Sequence, residues 1–160
     1  MKVLDTSSII FAWDNYPPTQ FPGLWDWMAD LINEKMLAIP KVAIIEVGHK
    51  TPECEKWLKV HNITILDAGT VIILEAMRIK KLIGIKEDNY SSNGVDENDL
   101  FIIATAKIYN IELISNEERQ IKLPLNSTKY KIPAVCSMDG VGVKCSSFID
   151  FFKQSGKIFR

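Results

Sequence analysis

The sequence predicts an α/β fold built around a mostly parallel sheet, and three observations carry that prediction. Short apolar runs of strand length alternate with longer helical stretches, the pattern left by repeated strand-helix-strand crossovers. The run Gly94–Glu118 holds one such unit almost whole: an acidic helix start at Asp96 and Asp99, an apolar helix, and a strand closing at Ser115. Carboxylates or hydroxyls also stand just past strand ends, where open parallel sheets bind their ligands.

Length and composition set the limits. A chain of 160 residues with 47% hydrophobic side chains is expected to form a single domain over 1–160 and to bury about two-thirds of its unfolded surface. Nineteen basic against twenty acidic residues give a net charge of -1. That balance excludes a global positive field, so a polyanion would have to be held locally. Met1–Leu4 is strand-like and lacks a signal-peptide pattern, and no apolar run reaches membrane-spanning length. A soluble, cytoplasmic protein without membrane contact is the expectation. Cys54, Cys136 and Cys145, with His49 and His61, have no spacing of a zinc ligand set, and reduced, mostly buried thiols are expected.

Taken in order, Lys2–Leu4 reads as a strand running into Asp5, Thr6, Ser7 and Ser8. An aspartate there suits a metal or phosphate ligand and equally an N-cap. Ile9–Trp13 supplies the first helical turns, a proline-rich loop follows from Asn15, and a second helix opens at Trp25 and reaches about Glu34. The aromatic concentration from Phe11 to Trp27 suits satellite core better than base stacking. Pro40 opens a helix over Lys41–Lys50. Within it Glu46 sits among apolar residues, so its carboxylate must be paired, protonated or bound to a cation, unless it reaches water from an edge.

Thr51–Val60 reads as a charged helix, Ile63–Leu66 as a strand, Gly69–Gly84 as a helix and Lys86–Gly94 as a polar loop. The next helix starts at Asp96 and ends at about Tyr109, with Asn110 suited to the left-handed residue that closes helices. Ile111–Ser115 follows as a strand and Arg119–Lys131 as a loop. Pro133 marks Lys131–Val135 as an extended edge segment. Val141–Cys145 reads as a last strand and Ser146–Gln154 as a terminal helix with Phe148, Phe151 and Phe152 facing inward.

Five acids emerge as a constellation: Asp5, Glu46, Asp96, Asp99 and Glu117. Several carboxylates on one dry rim require cations, and hard divalent ions such as Mg²⁺ or Mn²⁺ take oxygen ligands. The chemistry that follows is metal-assisted phosphodiester hydrolysis with no protein nucleophile. A capping box would by itself explain Asp96 and Asp99. Both roles are assigned here, with Asp96 mainly capping and Asp99 also projecting to the site.

The segments Leu4-Asp5-Thr6-Ser7, Glu46 on its helix, Asp99-Leu-Phe-Ile-Ile-Ala-Thr-Ala and Leu-Ile-Ser115-Asn116-Glu117 together resemble the PIN-domain nucleases. Phe21-Pro-Gly-Leu-Trp-Asp-Trp27 and Lys131-Ile-Pro-Ala-Val-Cys136 resemble its DUF4411 branch, with VapC-type toxins as relatives. The resemblance implies a three-layer α/β/α sandwich and an acidic pocket for Mg²⁺ or Mn²⁺. It also implies endonucleolytic cleavage of RNA and, for many small members, a toxin held by an antitoxin protein and often dimeric. Carried across by position, Asp5, Glu46 and Asp99 match the family's first three acids. Thr6 or Ser7 matches the hydroxyl orienting the first acid or a metal-bound water, and Ser115 the hydroxyl before the last acid. That last acid is usually aspartate, whereas this chain has Asn116 and Glu117.

Two other functions are compatible with the sequence. A catalytically silent PIN-like module would bind RNA or a protein without cutting. A phosphatase would use Asp5 as nucleophile, but such enzymes place a second aspartate two residues on, where this chain has Ser7.

Overall fold

The computed structural model describes residues Met1–Arg160. Strand β1 (Lys2–Leu4) leads into helices α1 (Thr6–Asn15) and α2 (Pro22–Asn33). Next come β2 (Leu37–Pro40), α3 (Lys41–Lys50), α4 (Pro52–Val60), β3 (Thr64–Leu66), α5 (Thr70–Ile83) and α6 (Glu97–Tyr109). The chain closes with β4 (Glu112–Ile114), a 3₁₀ turn at Ser127–Lys129, α7 (Ile132–Cys136), β5 (Cys145–Ser146) and α8 (Phe148–Ser155).

The strands form one sheet in the order β3-β2-β1-β4-β5, and every neighbouring pair is parallel. Lys2 lies opposite Leu37 on one side and Glu112 on the other, and Leu4 lies opposite Ile114. All residues of β2 and β4 are buried, as expected when helices cover both faces of a parallel sheet. The result is the three-layer α/β/α sandwich. Its core runs from Leu4, Ile9 and Met28 through Ile39 and Leu100 to Phe148. No helix is long and apolar enough to cross a membrane.

This order places β1 at the centre, with β2 and β3 wound to one side and β4 and β5 to the other. The direction of winding changes between β1 and β4, and such a switch point opens a crevice at the carboxyl ends of the two strands. Asp5 follows β1 and Ser115 follows β4, so both residues border that crevice. The Asp5 N–H donates to the Ile114 carbonyl at 2.9 Å.

Local chemistry explains the α6 start. Asp96 accepts from the Asp99 N–H and Asp99 accepts from the Asp96 N–H, a reciprocal capping box. Upstream, the Val95 N–H donates to the Tyr130 carbonyl at 3.0 Å. Gly94 passes so close to the 3₁₀ turn that a Cβ there would lie 2.1 Å from the Thr128 carbonyl oxygen. At the other end Asn110 takes the expected left-handed conformation, with φ 52°.

Several elements differ from the sequence expectation, among them α2, which opens at Pro22 rather than Trp25, and α8, which opens at Phe148 rather than Ser146. Ile132–Cys136 is a short helix rather than an extended edge segment, and Pro133 sits in its first turn, where its missing N–H costs nothing. The last strand is Cys145–Ser146 rather than Val141–Cys145, because pairing with β4 begins only at Cys145. Helix α1 starts at once at Thr6, three residues before the apolar run that marked it. Of the three aromatics expected to face inward on α8, Phe148 and Phe151 are buried and Phe152 is partly exposed.

Candidate active site

Asp5 occupies the N-cap position of α1, yet its carboxylate does not cap the helix. It turns into the crevice, where Oδ2 accepts hydrogen bonds from the Ser7 hydroxyl and, at 2.9 Å, from the Ser115 hydroxyl. These hydroxyls are fixed in turn: the Asn116 N–H donates to Ser7 Oγ at 2.9 Å and the Glu117 N–H to Ser115 Oγ at 3.2 Å. The loop after β4 is thereby tied to the end of β1.

Glu46 approaches from α3. Thr6 Oγ1 donates to its Oε1 at 3.2 Å and also lies 3.4 Å from the Ala43 carbonyl. The two hydroxyls after Asp5 therefore divide the work, Ser7 orienting Asp5 and Thr6 orienting Glu46. Asp99 approaches from the first turn of α6. Its Oδ2 accepts from the Asp96 N–H at 3.0 Å, and Asp96 Oδ1 accepts from the Asp99 N–H at 2.9 Å. Capping thus uses one carboxylate oxygen of Asp99, and the other has no part in the box.

The electrostatics show which acids face one another. Burial raises the Asp5 carboxyl above the usual carboxylate range and the Glu117 charge adds to it, while the Ser7 and Ser115 hydroxyls act in the opposite sense. Glu46 is raised by burial and by the charges of Asp96 and Asp5, against its bond from Thr6. Asp99 is pushed up to about 8, by burial first and then by Asp96, Asp5 and Glu117. Asp5 is the hub, sensing or sensed by Glu46, Asp99 and Glu117, which come from three other segments of the chain. Burial and mutual repulsion raise Asp5, Glu46 and Asp99 alike, which marks them as a donor set of hard oxygens that a cation would favour. They do not close into a ligand shell: no three acids are drawn together tightly enough to hold one ion.

Asn116 turns elsewhere, its Oδ1 accepting from the Phe148 N–H at 2.8 Å and anchoring the start of α8. Two charged groups escaped the sequence, one at the site and one at the opposite end of the sheet. Arg119 donates to the Ser115 carbonyl at 3.3 Å and the Glu117 carbonyl at 3.5 Å, bracing the acidic loop from behind. The only sequence signal was a lone cation in an acidic run. Glu112, read as a strand residue, is buried and paired with Lys2 and the Ser146 hydroxyl. An apolar hollow of about 380 Å³, lined by Tyr16, Phe21, Phe148, Phe152 and Phe159, lies over α1, α2 and α8 and includes none of the acids. Trp25 and Trp27 are buried, as the satellite-core reading required.

Residues 3–159 match the family model described as "Domain of unknown function (DUF4411)". The chain belongs to the DUF4411 family. No curated protein matches it in sequence. Its fold is similar to that of a chain in the crystal structure of DNA-bound VapBC from Salmonella typhimurium. There the TM-score is 0.54 at 17% identity, over 92% of the DUF4411 chain and 97% of the other. A chain in the crystal structure of VapBC2 from Rickettsia felis, bound to a promoter DNA fragment, gives 0.52 at 16% identity, over 91% and 97%. At such identities the likeness is one of fold, and that fold is PIN-like, with a five-stranded parallel sheet between helices.

Proposed function

We propose that this DUF4411 protein is a metal-dependent endoribonuclease that hydrolyses phosphodiester bonds in RNA and acts as the toxin of a toxin–antitoxin pair. What supports the reading is Asp5, buried at the sheet's switch point and held by two serines, with Glu46, Asp99 and Glu117 close enough to exchange charge effects with it. The oxygen-only donor set fits Mg²⁺ or Mn²⁺ in chemistry, and a bound ion would supply the positive charge these carboxyls lack, lower the pKa of the attacking water and offset charge on the phosphate. Ser7 and Ser115 fix one oxygen of Asp5, Thr6 one of Glu46 and the Asp96 N–H one of Asp99; Asp5, Glu46 and Asp99 would hold the ion once drawn closer together. Glu117, one methylene longer than aspartate, would help hold a second ion or position the water. The antitoxin reading is supported by the VapBC complexes whose toxin-type fold this chain resembles.

A catalytically silent binding module is the rival reading, favoured by the failure of any three acids to close on ligand distance. One experiment separates them. Single-stranded RNA is incubated with the purified protein, with and without Mg²⁺ or Mn²⁺, alongside Asp5→Asn and Asp99→Asn, whose folding is checked by circular dichroism. Cleavage that needs the ion and falls to background in both folded variants is the expected result. RNA binding without metal-dependent cleavage would establish the silent module.

A further inference from the structure

Outside the acidic crevice, two of the three cysteines stand together. Cys136 ends α7 and is buried, and Cys145 opens β5, an edge strand, where it is partly exposed. Helix α7 packs directly against β5, which sets the two cysteines on neighbouring elements. The segments that carry them are joined by the Val143 N–H donating to the Cys136 carbonyl at 3.0 Å. The Arg119 guanidinium lies against Cys145, with Nη2 3.9 Å from Sγ and 3.4 Å from the carbonyl oxygen. A partly exposed cysteine beside a guanidinium, backed by a second thiol on the neighbouring element, is the arrangement in which cysteine reacts and is then resolved.

We propose that Cys145 and Cys136 form a hydroperoxide-responsive dithiol, in which Cys145 is the reacting thiolate and Cys136 the resolving thiol. The site is independent of the nuclease reading. The Cys136 thiol and then the Arg119 charge hold the Cys145 thiol below its ordinary range, against burial and against the charges of Asp5 and Glu112. The Cys145 thiol and burial push Cys136 up. Cys54 is buried and is pushed up to about 12 by burial and by Asp14.

The chemistry balances with a hydroperoxide as oxidant. The Cys145 thiolate attacks one peroxide oxygen, the O–O bond breaks, and the alkoxide or hydroxide that leaves takes a proton from solvent. The sulfur is left as a sulfenic acid. Cys136 gives up its proton and attacks that sulfur, hydroxide leaves as water with the released proton, and the S–S bond forms. Two thiols lose two electrons in total and the peroxide gains them. Arg119 also braces the Ser115 and Glu117 carbonyls, so removal of the thiolate from beside it is felt directly in the acidic loop.

The test treats the purified protein with rising hydrogen peroxide, blocks remaining thiols with N-ethylmaleimide and maps the peptides without reduction. A linked Cys136–Cys145 peptide within one chain, with Cys54 still free, is expected. In Cys136→Ser the reaction should stop at a sulfenic acid on Cys145 that dimedone traps, and Arg119→Gln should slow alkylation of Cys145 several-fold in the unoxidised protein. The proposal is overturned if Cys145 oxidises no faster than Cys54, or if its only disulfide joins two chains. The wild-type peptide map decides this even if a variant fails to fold.

Discussion

Replacing Asp99 by asparagine separates its two duties. The amide oxygen can still accept from the Asp96 N–H, now at 3.0 Å, so the capping box survives while the charge is removed. Asp99 is held at about 8 against 3.8 for the free side chain. Between those values the folded protein keeps a proton that the unfolded chain has lost. The number of protons bound by the unfolded state minus that bound by the native state is then negative, so stability falls as pH rises through the window. Each pH unit inside it costs about 1.4 kcal/mol. Solvent reaching the half-buried carboxyl reduces the total to on the order of 3 kcal/mol, a large share of a typical stability of about 5–15 kcal/mol. Asp5 and Glu46, both raised, tilt the curve the same way. Urea unfolding followed by circular dichroism at intervals from pH 4 to pH 9, without divalent ions, measures it. Wild-type stability should decline across the range, the decline should be much shallower in Asp99→Asn, and the variant should be the more stable of the two at pH 8. A flat wild-type profile, or a variant less stable than wild type at pH 8, would refute the argument that these carboxyls confront one another.

Two other expectations follow from close contacts. Gly94→Ala puts a methyl group 2.1 Å from the Thr128 carbonyl oxygen, so the backbone must shift at a cost of about 1–3 kcal/mol; the thermal midpoint should fall and amide exchange at the start of α6 should quicken. In Glu112 burial acts to raise the carboxyl, but Lys2, Ser146 and Lys144 outweigh it and hold it below its ordinary value. That stability is present above the ordinary glutamate range and is lost as pH falls through the lowered value, so Glu112→Gln should be destabilised by about 1–3 kcal/mol at pH 7 and the gap to wild type should close as the pH is taken below the ordinary glutamate range.

What the sequence disclosed was local. The Asp96–Asp99 spacing announced a capping box, Asn110 a left-handed helix end, and strand alternation a parallel sheet, because each depends on neighbours a few residues away. Ile132–Cys136 was misjudged because all five of its residues are buried; a run apolar on every side has no period to tell helix from strand, and proline fits either a strand edge or a first helical turn. The division of labour between Thr6 and Ser7, the turning of Asn116 to α8 and the pairing of Lys2 with Glu112 depend on contacts between distant segments. Spacing along the chain does not encode them.

The central strand is synthesised well before its neighbour β4, with six helices and two strands made between them. Ser115, which steadies Asp5, lies 110 positions further along the chain. A nascent polypeptide therefore carries Asp5 with no partner across the crevice until Ser115 has been added, 110 residues later. Long-range pairing of this kind slows folding, and it leaves an unfinished chain without an assembled acidic centre while it is still attached to the ribosome.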